Sequence, residues 1–277
     1  MLVTMKSILD KAKKEGYGVA APNVFNMESV RAAFEAANEL KAPVIIDVGY
    51  GVGVEEMSNL TYYYSKKYPE VVAALNLDHG QTFEEAVASI RAGFTSVMAD
   101  RSTLPYEENV AQVKEIVKMA HAVGVSVEAE LGHVGQGYEY EKTRNSGLTK
   151  PDEAVNFIKD TDIDCLAVAV GTSHGVYTGT PYLDFNLLDE LSKRISIPLV
   201  LHGGSGTGDE QLEKAVKKGI QKINLFTDLS MAGLETLEEY LDNKEQHNLP
   251  EAFMAGAEGY KQKLIHYMRL FGSNGRA

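Results

Sequence analysis

Short apolar runs rich in valine, isoleucine and leucine recur along this chain, separated by stretches of helical periodicity. Eight of these runs read as buried strands: 18–23, 43–48, 71–78, 96–100, 126–131, 165–170, 198–202 and 222–226. Between them, residues 29–40 place Val30, Ala33, Phe34, Ala37 and Leu40 on one helical face. Residues 83–92, 106–122, 186–193 and 210–217 repeat the helical pattern. The first sixteen residues also read as an amphipathic helix, too charged and with too short an apolar run for a signal peptide. The tail after Leu229 predicts two or three more helices.

Strands apolar throughout, alternating with helices, predict a parallel sheet covered on both faces. Eight such units predict an α/β fold, a (β/α)8 TIM barrel with additional C-terminal helices, with residues 1–277 as one domain. A doubly wound open sheet is the rival. It would carry a glycine fingerprint after the first strand, where "APNVFNMES" offers none. Residues 132–152 are polar, glycine-containing and weakly periodic, which predicts a long loop of the kind that is usually functional.

Charge narrows the partners. The formal net charge is −12, so neither nucleic acid nor an anionic membrane is expected to bind. An anionic substrate needs a local seat. No run reaches the roughly 18 apolar residues of a membrane span. The one cysteine, Cys165, excludes a disulfide within the chain, and a cytoplasmic location is expected.

The strand ends carry the chemistry. Asn23, Asp47, Asp78, His79, Asp100, Glu130, His174, His202, Asn224 and Thr227 all fall at or just past the carboxyl end of a run. In a parallel barrel those ends share one face. Of seven histidines, His79, His174 and His202 lie there, each followed by a glycine (Gly80, Gly175, Gly203). Three neutral imidazoles form an open zinc site with a position left for water or substrate. His133, close to Glu130, is a candidate substrate contact, whereas His121, His247 and His266 read as structural. "HGGSG" (202–206) and "INLFTD" (223–228) follow the last two strands, the usual phosphate site of such a barrel. Backbone amides of Gly203, Gly204 and Ser205 and a helix start near Thr227 would bind an anion without a lysine cluster. Asp78, next to His79, is placed to exchange a proton with a sugar hydroxyl.

On these segments the chain resembles the class II, zinc-dependent ketose-bisphosphate aldolases, the family of fructose- and tagatose-bisphosphate aldolases. The segments are "LNLDHGQTFEEAVASIRAGFTSVMAD", "VSVEAELG", "GTSHGVYTG", "PLVLHGGSG", "KINLFTD" and the closing "MRLFGS". The resemblance implies one catalytic Zn2+ on His79, His174 and His202, acting as a Lewis acid that stabilises an enediolate of dihydroxyacetone phosphate. It implies Asp78 as the proton shuttle on the hydroxyl that becomes the aldehyde. Asn23, Gly175, Gly203, Ser205, Asn224 and Thr227 would hold the phosphate and ketone end. Asp100 and Glu130 would serve a buried alternative metal position or surround the first. Glu139 or Glu141 would take the carbon-bound proton. A monovalent cation, a phosphorylated-sugar substrate and a homodimer or homotetramer complete the implied set.

The chain departs from the family at Gly49, where serine is usual, and at Thr178, where lysine is usual. Phe226, His133, Gln136 and Arg101 are further departures, and Arg101 and His133 would suit a different anionic tail. The substrate is therefore left as fructose or tagatose 1,6-bisphosphate or a modified ketose 1-phosphate. Two other readings are a metal-dependent barrel hydrolase or isomerase and a non-catalytic partner subunit of an active aldolase. The first would commonly show a His-x-His pair after the first strand, which is absent. The second predicts loss of the three histidines or Asp78, and all four are present.

Overall fold

All eight predicted strands form in the computed structural model, which describes residues 1–143, 145, 147–243 and 247–277. The strands are β1 (Val19–Pro22), β2 (Val44–Gly49), β3 (Ala73–Gly80), β4 (Ser96–Ala99), β5 (Ser126–Leu131), β6 (Gly135–Gln136), β7 (Cys165–Val168), β8 (Ser173–His174), β9 (Leu199–Leu201) and β10 (Ile220–Leu225). Eight of them lie in the order β1-β10-β9-β7-β5-β4-β3-β2, with parallel pairing between neighbours. A bridge between Asn23 and Asp47, and a 2.9 Å bond from the Val24 amide to the Asp47 carbonyl, join the two ends of that order into a barrel. The short β6 and β8 form a separate parallel pair.

Helices α1 (Met5–Glu15), α2 (Met27–Leu40), α4 (Phe83–Ala92), α5 (Tyr106–Ala122), α8 (Phe185–Arg194) and α9 (Asp209–Lys217) occupy the periodic stretches. Helix α2 starts at a reciprocal capping box between Asn26 and Ser29. Two helices of more than one turn, α3 (Val54–Lys67) and α7 (Pro151–Thr161), lie outside the periodic stretches. In α3 the buried stripe includes Ser58 and Thr61, which blurs the apolar period. In α7 only Ala154, Phe157 and Thr161 are buried, and Pro151 sits in the first turn, where its missing N–H costs nothing. The tail forms α10 (Thr227–Asn243) and α11 (Leu249–Leu270), and α11 also packs on α2.

The segment 132–152 is not a bare loop. It contains β6, a 3-10 turn at Gly137–Glu139 and the short α6 (Tyr140–Thr143) before α7 begins. Tyr140 anchors it. Its ring is fully buried, and its hydroxyl donates to Gly171 O at 3.0 Å and accepts from the Tyr182 amide at 2.7 Å. Among the described residues no helix is long and apolar enough to cross a membrane.

The barrel interior changes character along its axis. Near the amino ends of the strands, Val19, Ile45, Ala74, Met98 and Val200 pack with Met5, Ile8 and Leu9 of α1. Helix α1 sits at that end, with the Lys6 amide reaching Ser126 at the start of β5 and Leu2 bridging to Ala73 at the start of β3. Asp47 and Asn76 follow two residues after Ile45 and Ala74, and with Glu128, paired to Met98, and Lys222, paired to Val19 and Val200, they form a fully buried polar set. Above them lies the rim that carries the histidines.

Candidate active site

A cavity of about 370 Å³ opens at the carboxyl ends of the strands. His79, His174 and His202 line it together with Asp78, Asn23 and Asn224, and Gly175, Gly203, Ser205 and Thr227 complete its polar wall. The strand-end residues thus converge from β1, β3, β8, β9 and β10.

Asp78 and His79 are neighbours in β3, so regular pleating would send them to opposite faces. Two features overcome this. The register with β4 shifts between Leu77 and Gly80, and His79 takes a left-handed backbone angle, φ 51°. Such a bulge re-aims a side chain, and both side chains line the same cavity. A non-glycine residue at positive φ is strained, a feature found where function holds it in place. Gly203 is required for another reason. Its φ is +67°, and a Cβ there would collide with the Ser173 carbonyl.

The three imidazoles face one another. His79 Nε2 lies 3.2 Å from His174 Nε2 and 2.9 Å from His202 Nδ1. The far nitrogens of two rings are taken by carboxylates: His79 Nδ1 meets Asp100 Oδ2 at 2.8 Å, and His202 Nε2 meets Glu128 Oε1 at 2.8 Å. A ring that donates its far N–H to a carboxylate turns a lone pair toward its neighbours. Two such lone pairs meeting beside a third imidazole repel unless a cation lies among them, so the donor set fits a metal ion. A second grouping, His79, Asp100 and Glu130, also brings its ligand atoms within 4.8 Å of one another. There Glu130 Oε1 accepts from the Val134 amide at 2.9 Å, while Oε2 is buried without a hydrogen-bond partner among the described residues.

Electrostatics agree with this arrangement. Burial alone would lower the pKa of His79, but Asp78, Asp100 and Glu130 outweigh it and push the ring up to about 10. Burial and the positive neighbours His202 and His79 push His174 down to about 3, and burial with His79 lowers His202 as well. The trio therefore favours one positive charge and resists a second. Burial would raise Asp78, yet His79, His202 and Lys222 hold it below the usual carboxylate range. Asn23 Nδ2 donates to Asp78 Oδ2 at 2.7 Å and Asn224 Nδ2 to Oδ1 at 3.0 Å. Asn23 and Asn224, expected on the substrate, thus spend amide donors on Asp78. The Asn224 Oδ1 atom is buried with no partner among the described residues.

Other expectations are placed differently. The Gly204 amide donates to Asn224 O at 3.2 Å, so it does not face an anion as expected. Ser205 Oγ accepts from the Phe226 and Asp228 amides at 3.2 Å each, which fixes that hydroxyl at the start of α10. Arg101 is buried and bonded to the Gly80 and Asp100 carbonyls and to Gln112, so it is not available for a substrate tail. Thr178 ties its backbone and hydroxyl to Gly137 O. His133 pairs with Ser102 at 3.0 Å and does not line the cavity. His121 and His266 pair with Asp164 and Asp209 away from it. Glu139 and Glu141 are exposed and outside the cavity lining, and the Glu141 carboxylate lies over Gly179.

Two residues escaped the sequence reading. Lys222 Nζ lies 2.8 Å from Glu128 Oε2 and 3.2 Å from Asp47 Oδ2, all fully buried. Glu128 in turn holds His202. The available signal was a charge inside an otherwise apolar run, at an even spacing from Glu130 and from Asn224, which puts each pair on one face of its strand.

Fold and site together define a TIM barrel whose strand-end cavity gathers three histidines able to hold a metal ion. The family model for class-II fructose-bisphosphate aldolase matches residues 3–276. A fructose-bisphosphate aldolase of Helicobacter pylori is 39% identical over 304 residues, covering 99% of this chain and 99% of that one. A sulfofructosephosphate aldolase of Alkalicoccus urumqiensis is 37% identical over 283 residues, covering 99% and 98%. The crystal structure of the YdjI aldolase of Escherichia coli K12 matches with a TM-score of 0.89 at 33% identity, over 100% of both chains. The chain belongs to the class II fructose-bisphosphate aldolase family. It is an aldolase, a carbon–carbon lyase acting on a phosphorylated sugar.

Proposed function

We propose that this chain catalyses the reversible cleavage of a ketose phosphate to dihydroxyacetone phosphate and an aldehyde. Fructose 1,6-bisphosphate, tagatose 1,6-bisphosphate and ketose 1-phosphates are the candidate substrates. The carrying observation is Asp78, oriented by Asn23 and Asn224 and held ionised beside three converging imidazoles. His79, His174 and His202 would hold a zinc ion, with Asp100 and Glu130 as an alternative position around His79. Zinc bound there supplies Lewis-acid polarisation of the substrate carbonyl.

The protein's own groups do the rest. Asp78 takes the proton of the C4 hydroxyl as the C3–C4 bond breaks and C4 becomes the aldehyde carbon. Asn224 holds Asp78 in place through its Nδ2 donor. Gly175, Gly203, Ser205 and Thr227 seat the phosphate, with the α10 terminus adding its dipole. Glu139 or Glu141 delivers the proton to C3, an assignment carried by their place in the segment after β5. Asp100 and Glu128 orient their imidazoles through the far nitrogens.

Residues 1–277 are read as one cytoplasmic catalytic domain that assembles as a homodimer or homotetramer. Support for assembly comes from exposed apolar side chains on α10 and α11, among them Leu241, Leu249, Phe253 and Met254. The test of the activity incubates the pure protein with both bisphosphates and a panel of ketose 1-phosphates, with and without a chelator. Release of dihydroxyacetone phosphate that the chelator stops supports the reading. Release indifferent to chelation overturns the metal assignment, and no release from any ketose phosphate overturns the aldolase.

A further inference from the structure

The loops after three neighbouring strands, β10, β1 and β2, give the cavity an apolar arc: Phe226, Phe25 and Val52. Phe25 and Phe226 meet edge to face with ring centroids 6.0 Å apart. Phe25 also stands against Tyr260 at 6.4 Å, whose hydroxyl donates to Asn23 O at 2.8 Å, so the arc is braced from behind. Both residues line the cavity and keep exposed surface, Phe25 at 42% and Phe226 at 49%. Beside them, nothing lies within 4 Å of where a Cβ on Gly49 would stand, so there is room there. Among the described residues that line the cavity, none is lysine or arginine. Arg101 is engaged elsewhere.

Building on the aldolase reading, we infer that the aldehyde half of the substrate is uncharged: the substrate is a ketose 1-phosphate with no second phosphate, its far half resting on Phe25 and Phe226. One phosphate suits the seat of backbone amides and hydroxyls at Gly203, Ser205 and Thr227. A second phosphate pressed on the arc would lose hydration with no cation among the described lining residues to compensate it. Aromatic ring faces carry negative charge density, and the chain's net charge of −12 adds to the repulsion. An uncharged carbon chain loses nothing there and covers apolar surface. The step balances without a co-reactant. The C3–C4 bond breaks, the C4 hydroxyl gives up its proton as the aldehyde forms, and C3 gains one proton to complete dihydroxyacetone phosphate.

The test runs the condensation direction. Dihydroxyacetone phosphate is offered with D-glyceraldehyde, L-lactaldehyde and glycolaldehyde, and separately with glyceraldehyde 3-phosphate. The expected result is a kcat/KM at least about tenfold higher for the best uncharged aldehyde. A higher value for glyceraldehyde 3-phosphate overturns the inference while leaving the aldolase intact. Proton exchange on dihydroxyacetone phosphate without condensation to any uncharged aldehyde also overturns it. Absence of both exchange and condensation overturns the aldolase reading instead. In Phe226→Lys, the ratio should move at least about threefold toward glyceraldehyde 3-phosphate, and an unmoved ratio removes Phe226 from its assigned role.

Discussion

The two ends of the barrel interior are built from the same strands by the same alternation, yet they share almost no chemistry. At the amino end, Val19, Ile45, Ala74, Met98 and Val200 close against α1. Toward the carboxyl end the buried positions include Asp47, Asn76, Asp78, Glu128, Glu130, Lys222 and Asn224. Burying charge is costly unless it is paired. The carboxyl end meets that condition through a chain of contacts from Asp47 and Lys222 through Glu128 to His202. The apolar end supplies the burial that lets the other end hold unfavourable groups, including a left-handed histidine. Stability and chemistry are thus separated along one axis, a few residues apart.

Substitutions at the two ends should break that comparison in different ways. The largest effect is expected for Asp78→Ala: turnover falls by about a thousandfold, within the usual range for a positioned acid or base, while the thermal midpoint stays close to that of the parent. Full turnover in that variant would remove Asp78 from its role. Lys222→Met comes next. It leaves Glu128 buried without its counter-charge, and urea unfolding should register a loss of about 3–5 kcal/mol. A loss below about 1 kcal/mol would mean that the charge chain carries little. At the other end, Ile45→Ala should cost about 2–4 kcal/mol through an unfilled cavity, with kcat/KM unchanged within about twofold. A large fall in kcat/KM there would deny the separation.

The last test varies pH. Burial, opposed by Lys222, pushes Asp47 up to about 8, above its unfolded value near about 3.9. A raised folded pKa means that the native state holds a proton the unfolded chain has lost. The stability from Asp47 is therefore fully present below about pH 4 and is lost as pH rises through 8. Urea midpoints of the parent should fall between pH 5 and 8 more steeply than those of Asp47→Asn. Parallel profiles would contradict the assignment.

Much of this was legible in the sequence because the strands are apolar throughout and end in polar residues. All eight barrel strands follow from that pattern, as do His79 and His202 at the ends of two of them, while His174 lies in the separate β8. What was not legible depends on contacts distant in sequence. Nothing local shows that Arg101 turns inward to Gly80 and Gln112, or that Asn23 and Asn224 converge on Asp78 from opposite ends of the chain. Helix α3 hides because Ser58 and Thr61 sit on its buried face. Glu128 and Lys222 hide because a charge in an apolar run reads locally as a strand edge, and only the barrel closure buries them together.

The account rests on the cavity being a metal-assisted aldolase site, whatever aldehyde it takes. The most direct measurement leaves the aldehyde out. Dihydroxyacetone phosphate is incubated with the protein in deuterium oxide, and its hydroxymethyl protons are followed by nuclear magnetic resonance. The account predicts enzyme-dependent exchange of one of the two protons, stopped by a chelator and restored by zinc. No exchange, or exchange indifferent to the chelator, would contradict it.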